Sequence, residues 1–258
     1  MSNAIVVSLS NFKGGVGKTT LTILLSLIAG LARLKTLVID LDPQCNSTIW
    51  HSLDFRQTRK STITEAISRL DARSCISGSH LDHCDLLAGG PDSLRHHSVP
   101  IDTLSHLISP ISREYDLILL DCPAMINNLV VSAWSASDRI IAPARLDRFD
   151  RFGLPFMAEA IAQNTQLDLE HFAIVVNFAK KPKPDEQFSL ELEYQQEFEQ
   201  AFPNLYPIRI PQRAWIREVI NRDKYLSRRQ RHRTELNDLI QLTAWAVGRE
   251  LVLSDKRL

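Results

Sequence analysis

Short apolar, β-branched runs recur along the chain, separated by stretches long enough to hold a helix. Residues 5–9 (Ile-Val-Val-Ser-Leu) read as a buried strand, and the Leu-rich stretch 21–29 reads as a helix. Further strands are predicted at 36–40, at 85–88 (stopped by Gly89-Gly90-Pro91), and at 116–121, 138–143 and 172–177. Helical patterns occupy 62–70, 101–108 and 154–164, the second of them ended by Pro110. Residues 73–83 are polar and read as loop, as does the composition break at 180–184. Near the end, Leu236, Leu239, Ile240, Thr243, Ala246, Val247 and Leu251 line one face of a helix predicted over 234–253.

Strands alternating with helices predict βαβ units and hence an α/β fold. The expected architecture is a single doubly wound, mostly parallel sheet flanked by helices. No internal repeat and no long Gly/Ser linker divides the chain, so one domain over 1–258 is expected. It carries a basic C-terminal region at 209–233 and the terminal helix 234–253.

Composition changes this picture little. With 44% apolar residues in 258, the chain can bury a sizeable core. Formal net charge is zero, so any nucleic-acid role must rest on a local patch. The four cysteines (Cys45, Cys75, Cys84, Cys122) form no C-x-x-C pair, which suggests a reducing compartment. No charged n-region followed by an apolar h-region opens the chain, and its longest apolar stretch, 21–32, is too short to span a bilayer. A cytoplasmic protein without stable membrane association is expected. His80, His83, Cys84, His96 and His97 match no zinc spacing and are read as surface groups.

The chemistry starts between the first strand and the first helix, in Asn11-Phe12-Lys13-Gly14-Gly15-Val16-Gly17-Lys18-Thr19-Thr20. A strand, a glycine loop and a helix in that order make a phosphate cradle. Glycines let backbone N–H groups turn inward, and the helix N-terminus adds oriented donors and partial positive charge. Gly14, Gly15, Val16, Gly17, Lys18, Thr19 and Thr20 are therefore the expected nucleotide-binding residues. Lys18 is placed to reach the β- and γ-phosphates and Thr19 to join a Mg²⁺ shell. Phe12 stands where the general motif has glycine, and a second lysine, Lys13, opens the loop. The loop resembles the deviant Walker A loop of the ParA/MinD group of P-loop ATPases. The resemblance implies ATP and Mg²⁺ as cofactors, and an ATP-dependent homodimer in which Lys13 reaches the nucleotide of the partner subunit.

Acidic residues complete the expected site. Asp121 closes an apolar strand as a Walker B acid does, and Asp40-Leu41-Asp42-Pro43-Gln44 resembles the D-x-D-P-Q motif of the ParA group. All fall at predicted strand C-termini, where open parallel sheets bind ligands. The resemblance implies that Asp121 and Asp40 lie at the Mg²⁺ and that Asp42 orients the attacking water, so Lys13, Lys18 and Asp42 are the candidate catalytic residues. It continues through Asp121-Cys122-Pro123-Ala124, through 138–143 followed by Gly153-Leu154 (with Phe152 where glutamate is usual), and through Ile210-Pro211-Gln212-Arg213. On that basis Asn177 and Pro211 are placed near the base.

From Arg209 to Arg233 basic residues are dense, opposed only by Glu218 and Asp223 and preceded by an acidic stretch at 185–199. Such a cluster, with Trp215 and Tyr225, suits a phosphate backbone through counterion release. ParA-type proteins bind DNA without sequence preference through C-terminal basic residues. The resemblance therefore implies non-specific double-stranded DNA as a partner, through Arg217, Arg222, Lys224, Arg228, Arg229 and Arg231. It also implies a ParB-like adaptor that stimulates hydrolysis, and nucleoid association in plasmid or chromosome partition. Two alternatives stay open: the same cycle positioning a protein cargo such as a microcompartment, and a MinD-like membrane-associated ATPase.

Overall fold

The computed structural model describes residues 3–58, 60–96, 98–145, 147–179, 200, 205–211, 214–222 and 234–253. The first apolar run forms β1 (Ile5–Leu9) and leads through the glycine loop into α1 (Lys18–Leu31). After β2 (Thr36–Asp40) come three short helices, α2 (Asn46–His51), α3 (Phe55–Thr58) and α4 (Ile63–Arg69). Then follow β3 (Ser77–Gly78), β4 (Cys84–Leu87), α5 (Thr103–Ile108), β5 (Leu117–Asp121), α6 (Asn128–Ser135), β6 (Arg139–Ala144) and α7 (Arg148–Asn164). The described chain continues with β7 (Phe172–Ala179), β8 (Leu205–Pro211), α8 (Ala214–Arg222) and α9 (Thr234–Val247).

All eight strands of the described residues join one sheet in the order β3-β4-β2-β5-β1-β6-β7-β8, and every neighbouring pair is parallel except β3 with β4. Central strands are apolar on both faces because both faces are covered. Val6, Leu37, Ile39, Ile118 and Leu120 pack on one side with Ile63, Leu104, Leu129, Trp134 and Leu154. Their alternate neighbours Val7, Leu9, Val38, Leu117 and Leu119 pack on the other with Leu24, Ile28, Trp50, Leu236 and Leu239. A strand's period of two sends successive side chains to opposite layers, which makes the sheet doubly wound as expected.

Several expectations change in detail. α5 ends at Ile108 as expected but begins at Thr103 rather than 101, and a 3-10 turn, Ser109–Glu114, then carries Pro110 in its first turn, where no N–H is required. Residues 73–83 hold a 3-10 turn and the short edge strand β3. The terminal helix ends at Val247 rather than 253, because Gly248 takes φ +66 and its N–H closes on the Trp245 carbonyl at 3.1 Å. Its apolar face is spent in the core, with Leu236, Leu239, Leu242, Thr243 and Ala246 buried. Among the described residues no helix is long and apolar enough to cross a membrane. Trp215 is buried on α8, so it packs into the core and offers no ring to a nucleic acid. The 180–184 break and the acidic stretch up to 199 lie outside the described residues.

Candidate functional site

Strand register brings the expected residues together. Asp40 and Asp121 are direct neighbours on β2 and β5, and Asp121 is in turn level with Leu9, the last residue of β1. Three strand C-termini thus end at one level, and the phosphate loop springs from β1. Gly15 (φ +71) and Gly17 (φ +100) hold the loop in left-handed conformations that a side chain would strain. Gly17 has a second constraint, since a Cβ there would lie 2.1 Å from the Asn177 side-chain nitrogen. Asn177, at the carboxyl end of β7, donates to the Val16 carbonyl at 2.7 Å and so abuts the loop. Pro211 closes the adjacent β8, paired with Ala179, which puts both expected base-side residues on one rim of the sheet.

Lys18 begins α1 and is buried, its Nζ donating to the carbonyls of Asn11 (3.1 Å) and Lys13 (3.2 Å). Burial pulls its pKa down against the opposing charges of Asp121, Cys122 and Asp42. Asn11 secures the loop's entry, donating to the Pro143 carbonyl at 2.8 Å and accepting from the Lys13 amide at 2.9 Å.

The acids occupy different environments. Asp40 is fully buried and accepts from the Thr48 amide (2.8 Å), the Thr48 hydroxyl (2.7 Å) and the Asp42 amide (3.0 Å). Burial, opposed by those donors, pushes its pKa up to about 6. Gly89 closes over it, with no room for a Cβ beyond 3.0 Å from the carboxyl carbon. Asp121 is also fully buried, and neither of its oxygens has a hydrogen-bond partner. Its pKa is raised well above the carboxylate range, first by burial and then by Asp40; the Thr19 hydroxyl, near but outside hydrogen-bond geometry, opposes the rise. Asp42 is half-exposed at the mouth and accepts from the Gln44 amide at 2.8 Å.

Two adjacent buried carboxyls, one without a donor, fit a hard divalent cation, which supplies the missing positive charge and accepts oxygen ligands. Thr19 and Asp121 would hold Mg²⁺, with Asp40 behind them. Lys13 takes a position that the sequence did not foretell: its ammonium is paired within the chain to Asp147 and lies 3.5 Å from Asp150, over the Phe149 ring.

Four further residues at this end escaped the sequence reading. Asp147 and Asp150 form a reciprocal capping box at the start of α7, and the spacing of two acids ahead of an apolar helix was a legible signal for it. Arg145 donates to the Gly15 carbonyl at 2.5 Å and stacks on Phe178, and Thr48 links Asp40 to the Gly89 amide. Neither of these two has a sequence signal, because each depends on a contact across many residues. Of the expected DNA-facing residues, Arg217 is exposed on α8 and Arg222 is that helix's last residue. Lys224, Arg228, Arg229 and Arg231 lie outside the described residues. The histidine group does not hold as a surface set: His80 is half-buried with its ring 4.7 Å from that of Trp50.

Comparison with known proteins agrees with this geometry. The family model described as AAA domain, AAA_31, matches residues 4–173. An uncharacterized protein of Pseudomonas putida is 29% identical over 226 residues, 83% of each chain. The chromosome partitioning protein ParA of Myxococcus xanthus is 29% identical over 164 residues, 60% of this chain and 57% of that protein. Among solved structures, an ATP complex of a Cyanothece McdA variant superposes with a TM-score of 0.82 at 16% identity, covering 98% of this chain and all of that one. The chain belongs to the AAA_31 family and is a ParA-type P-loop ATPase.

Proposed function

We propose that this ATPase, working as one domain, binds Mg²⁺ and ATP and dimerises on the nucleotide. The dimer binds double-stranded DNA without sequence preference on the nucleoid and partitions a plasmid or chromosome region. Hydrolysis stimulated by a ParB-like adaptor then releases it. The observation that carries the reading is the convergence of the glycine loop with Asp40 and Asp121 at three level strand ends, with Lys13 on the outer rim of the loop. Similarity to the Myxococcus xanthus partitioning protein supports partition as the purpose.

In this reading Gly14 to Thr20 cradle the phosphates with backbone N–H groups, and Lys18 leaves the Asn11 and Lys13 carbonyls to pair with the β- and γ-phosphates. Mg²⁺ held by Thr19 and Asp121, with Asp40 behind them, would supply charge neutralisation for the phosphates. Asp42, half-exposed at the mouth, orients the attacking water. Asn177 and Pro211 border the base. Lys13 completes the partner's site and contributes charge as an arginine finger does, so an isolated subunit hydrolyses ATP slowly.

Sedimentation of the protein with and without ATP tests this, together with steady-state turnover. The wild type shifts to a dimer with ATP, and Lys13→Ala abolishes both the shift and most of the turnover. An unchanged ATP-dependent dimer in Lys13→Ala refutes the role in trans. Asp42→Ala accumulates an ATP-bound dimer with turnover reduced at least about tenfold, as expected when the group that orients the water is removed.

A further inference from the structure

Lys13 has two places to be. In this structure its ammonium is not free at the loop's edge but lies between two carboxylates at the start of α7. Asp147 is the N-cap of that helix and accepts from the amides of Phe149 (3.0 Å) and Asp150 (3.2 Å). Asp150 is almost wholly buried and accepts from the Arg145 amide at 2.7 Å. The pair of acids is thus fixed by the backbone before Lys13 arrives. Partial burial works to raise the Asp147 pKa, but Lys13 and the capping amides outweigh it and the net shift is downward. A lysine seated on such a frame gives up an ion pair and a ring contact whenever it extends away from its own chain.

We infer that Asp147 and Asp150 are positioning residues for Lys13, holding its ammonium within its own subunit and thereby setting the ATP level at which the dimer forms. The inference rests on the reading that Lys13 acts across the dimer. It adds a competition: the same ammonium cannot be paired at α7 and at the partner's phosphates together. Phe152, two residues beyond Asp150 on α7, is exposed and apolar and offers no charge to an ammonium. The seat is therefore built by Asp147 and Asp150 rather than by that position.

Asp147→Asn is the informative variant because asparagine keeps the N-cap while removing the charge. The first readout needs no dimer: the rate at which an amine-reactive reagent labels the Lys13 ε-amine in the nucleotide-free protein, followed by mass spectrometry against the other lysines. Loss of the pair speeds Lys13 labelling while the other lysines stay as in the wild type. The second readout is the ATP midpoint of dimerisation, which falls about two- to fivefold, the range of a partly exposed ion pair. Asp147→Glu restores both toward the wild type.

Unchanged Lys13 labelling in Asp147→Asn overturns the seat. Faster labelling with an ATP midpoint that is unchanged or higher overturns its control of dimerisation. Acceleration at all lysines marks general loosening and equally overturns a specific role. None of these results bears on whether Lys13→Ala dimerises, so the failure of the trans reading is seen separately.

Discussion

At the scale of single residues, the site is a set of charges kept at cost. Asp40 and Asp121 lie side by side in a buried layer, and Asp121 has no donor. Burial raises both pKa values, that of Asp40 to about 6. With a folded pKa above the unfolded one, the native state holds more protons between about pH 4 and 6, so the Asp40 contribution to stability falls as pH rises through that window. Asp40→Asn removes the ionised form and relieves Asp121. Without nucleotide, thermal unfolding of Asp40→Asn at pH 7 should occur several degrees above that of the wild type, with about 2–4 °C expected per kcal/mol at this length. The gap should close toward pH 4, and Mg²⁺-dependent turnover should drop. A Tm for Asp40→Asn at or below that of the wild type at pH 7 would show that its bonds to Thr48 outweigh its charge. The loop and the acids at 40, 42 and 121 were legible in the sequence because each is a short motif whose chemistry is carried by adjacent residues. Thr48 was not, since its value lies in bridging Asp40 to Gly89, 41 positions from itself.

At the scale of elements, the helices are tied to the phosphate helix by polar as well as apolar contacts. His51 on α2 is fully buried; its Nε2 lies 2.9 Å from the Ser26 hydroxyl on α1 and its Nδ1 2.9 Å from the Ser47 carbonyl. Burial drives its pKa down to about 4. Here the sign is opposite to that of Asp40: the unfolded chain binds the extra proton, so stability is present above about 6.5 and is lost as pH falls toward 4. In denaturant titrations the Asp40→Asn variant should therefore show stability rising with pH across this window, while His51→Gln should show it falling. Identical pH slopes in the two variants would contradict the assignment of either group. Element existence was readable for α1, β2, β5 and β6 from apolar runs alone. α2 and α6 were missed because they are short and follow motif loops, and the start of α7 was placed six residues late because Pro155 hid the helix ahead of it. The proline is tolerated inside α7, whose first turns are held by the capping box.

At the scale of the whole molecule, all nucleotide-side residues gather at the carboxyl end of one sheet, while α8 and α9 cover its α1 face. Zero net charge hides a strongly basic segment, so the proposed DNA affinity would come from that segment and would be salt-dependent. For the ATP-loaded protein on random duplex, log affinity should fall linearly with log salt. A combined Arg228→Ala/Arg229→Ala variant should lower the slope by about 2, close to one for each phosphate no longer neutralised. An unchanged slope would remove these arginines from the interface. Trp215 illustrates the limit of reading such a patch from sequence: it is spaced among arginines like a stacking ring yet sits in the core.

By itself the sequence determined an α/β fold with a phosphate-binding motif, and its resemblance to the ParA group implied an ATPase. Glycine geometry, strand-end acids and apolar periodicity are local properties, written in contiguous residues. Only the tertiary structure decided that Asp40 and Asp121 are direct neighbours, that Asn177 presses on Gly17, and that Lys13 is held by Asp147 and Asp150. Those are pairings between residues up to 160 positions apart. Parallel register and helix placement create them, and no local pattern encodes them.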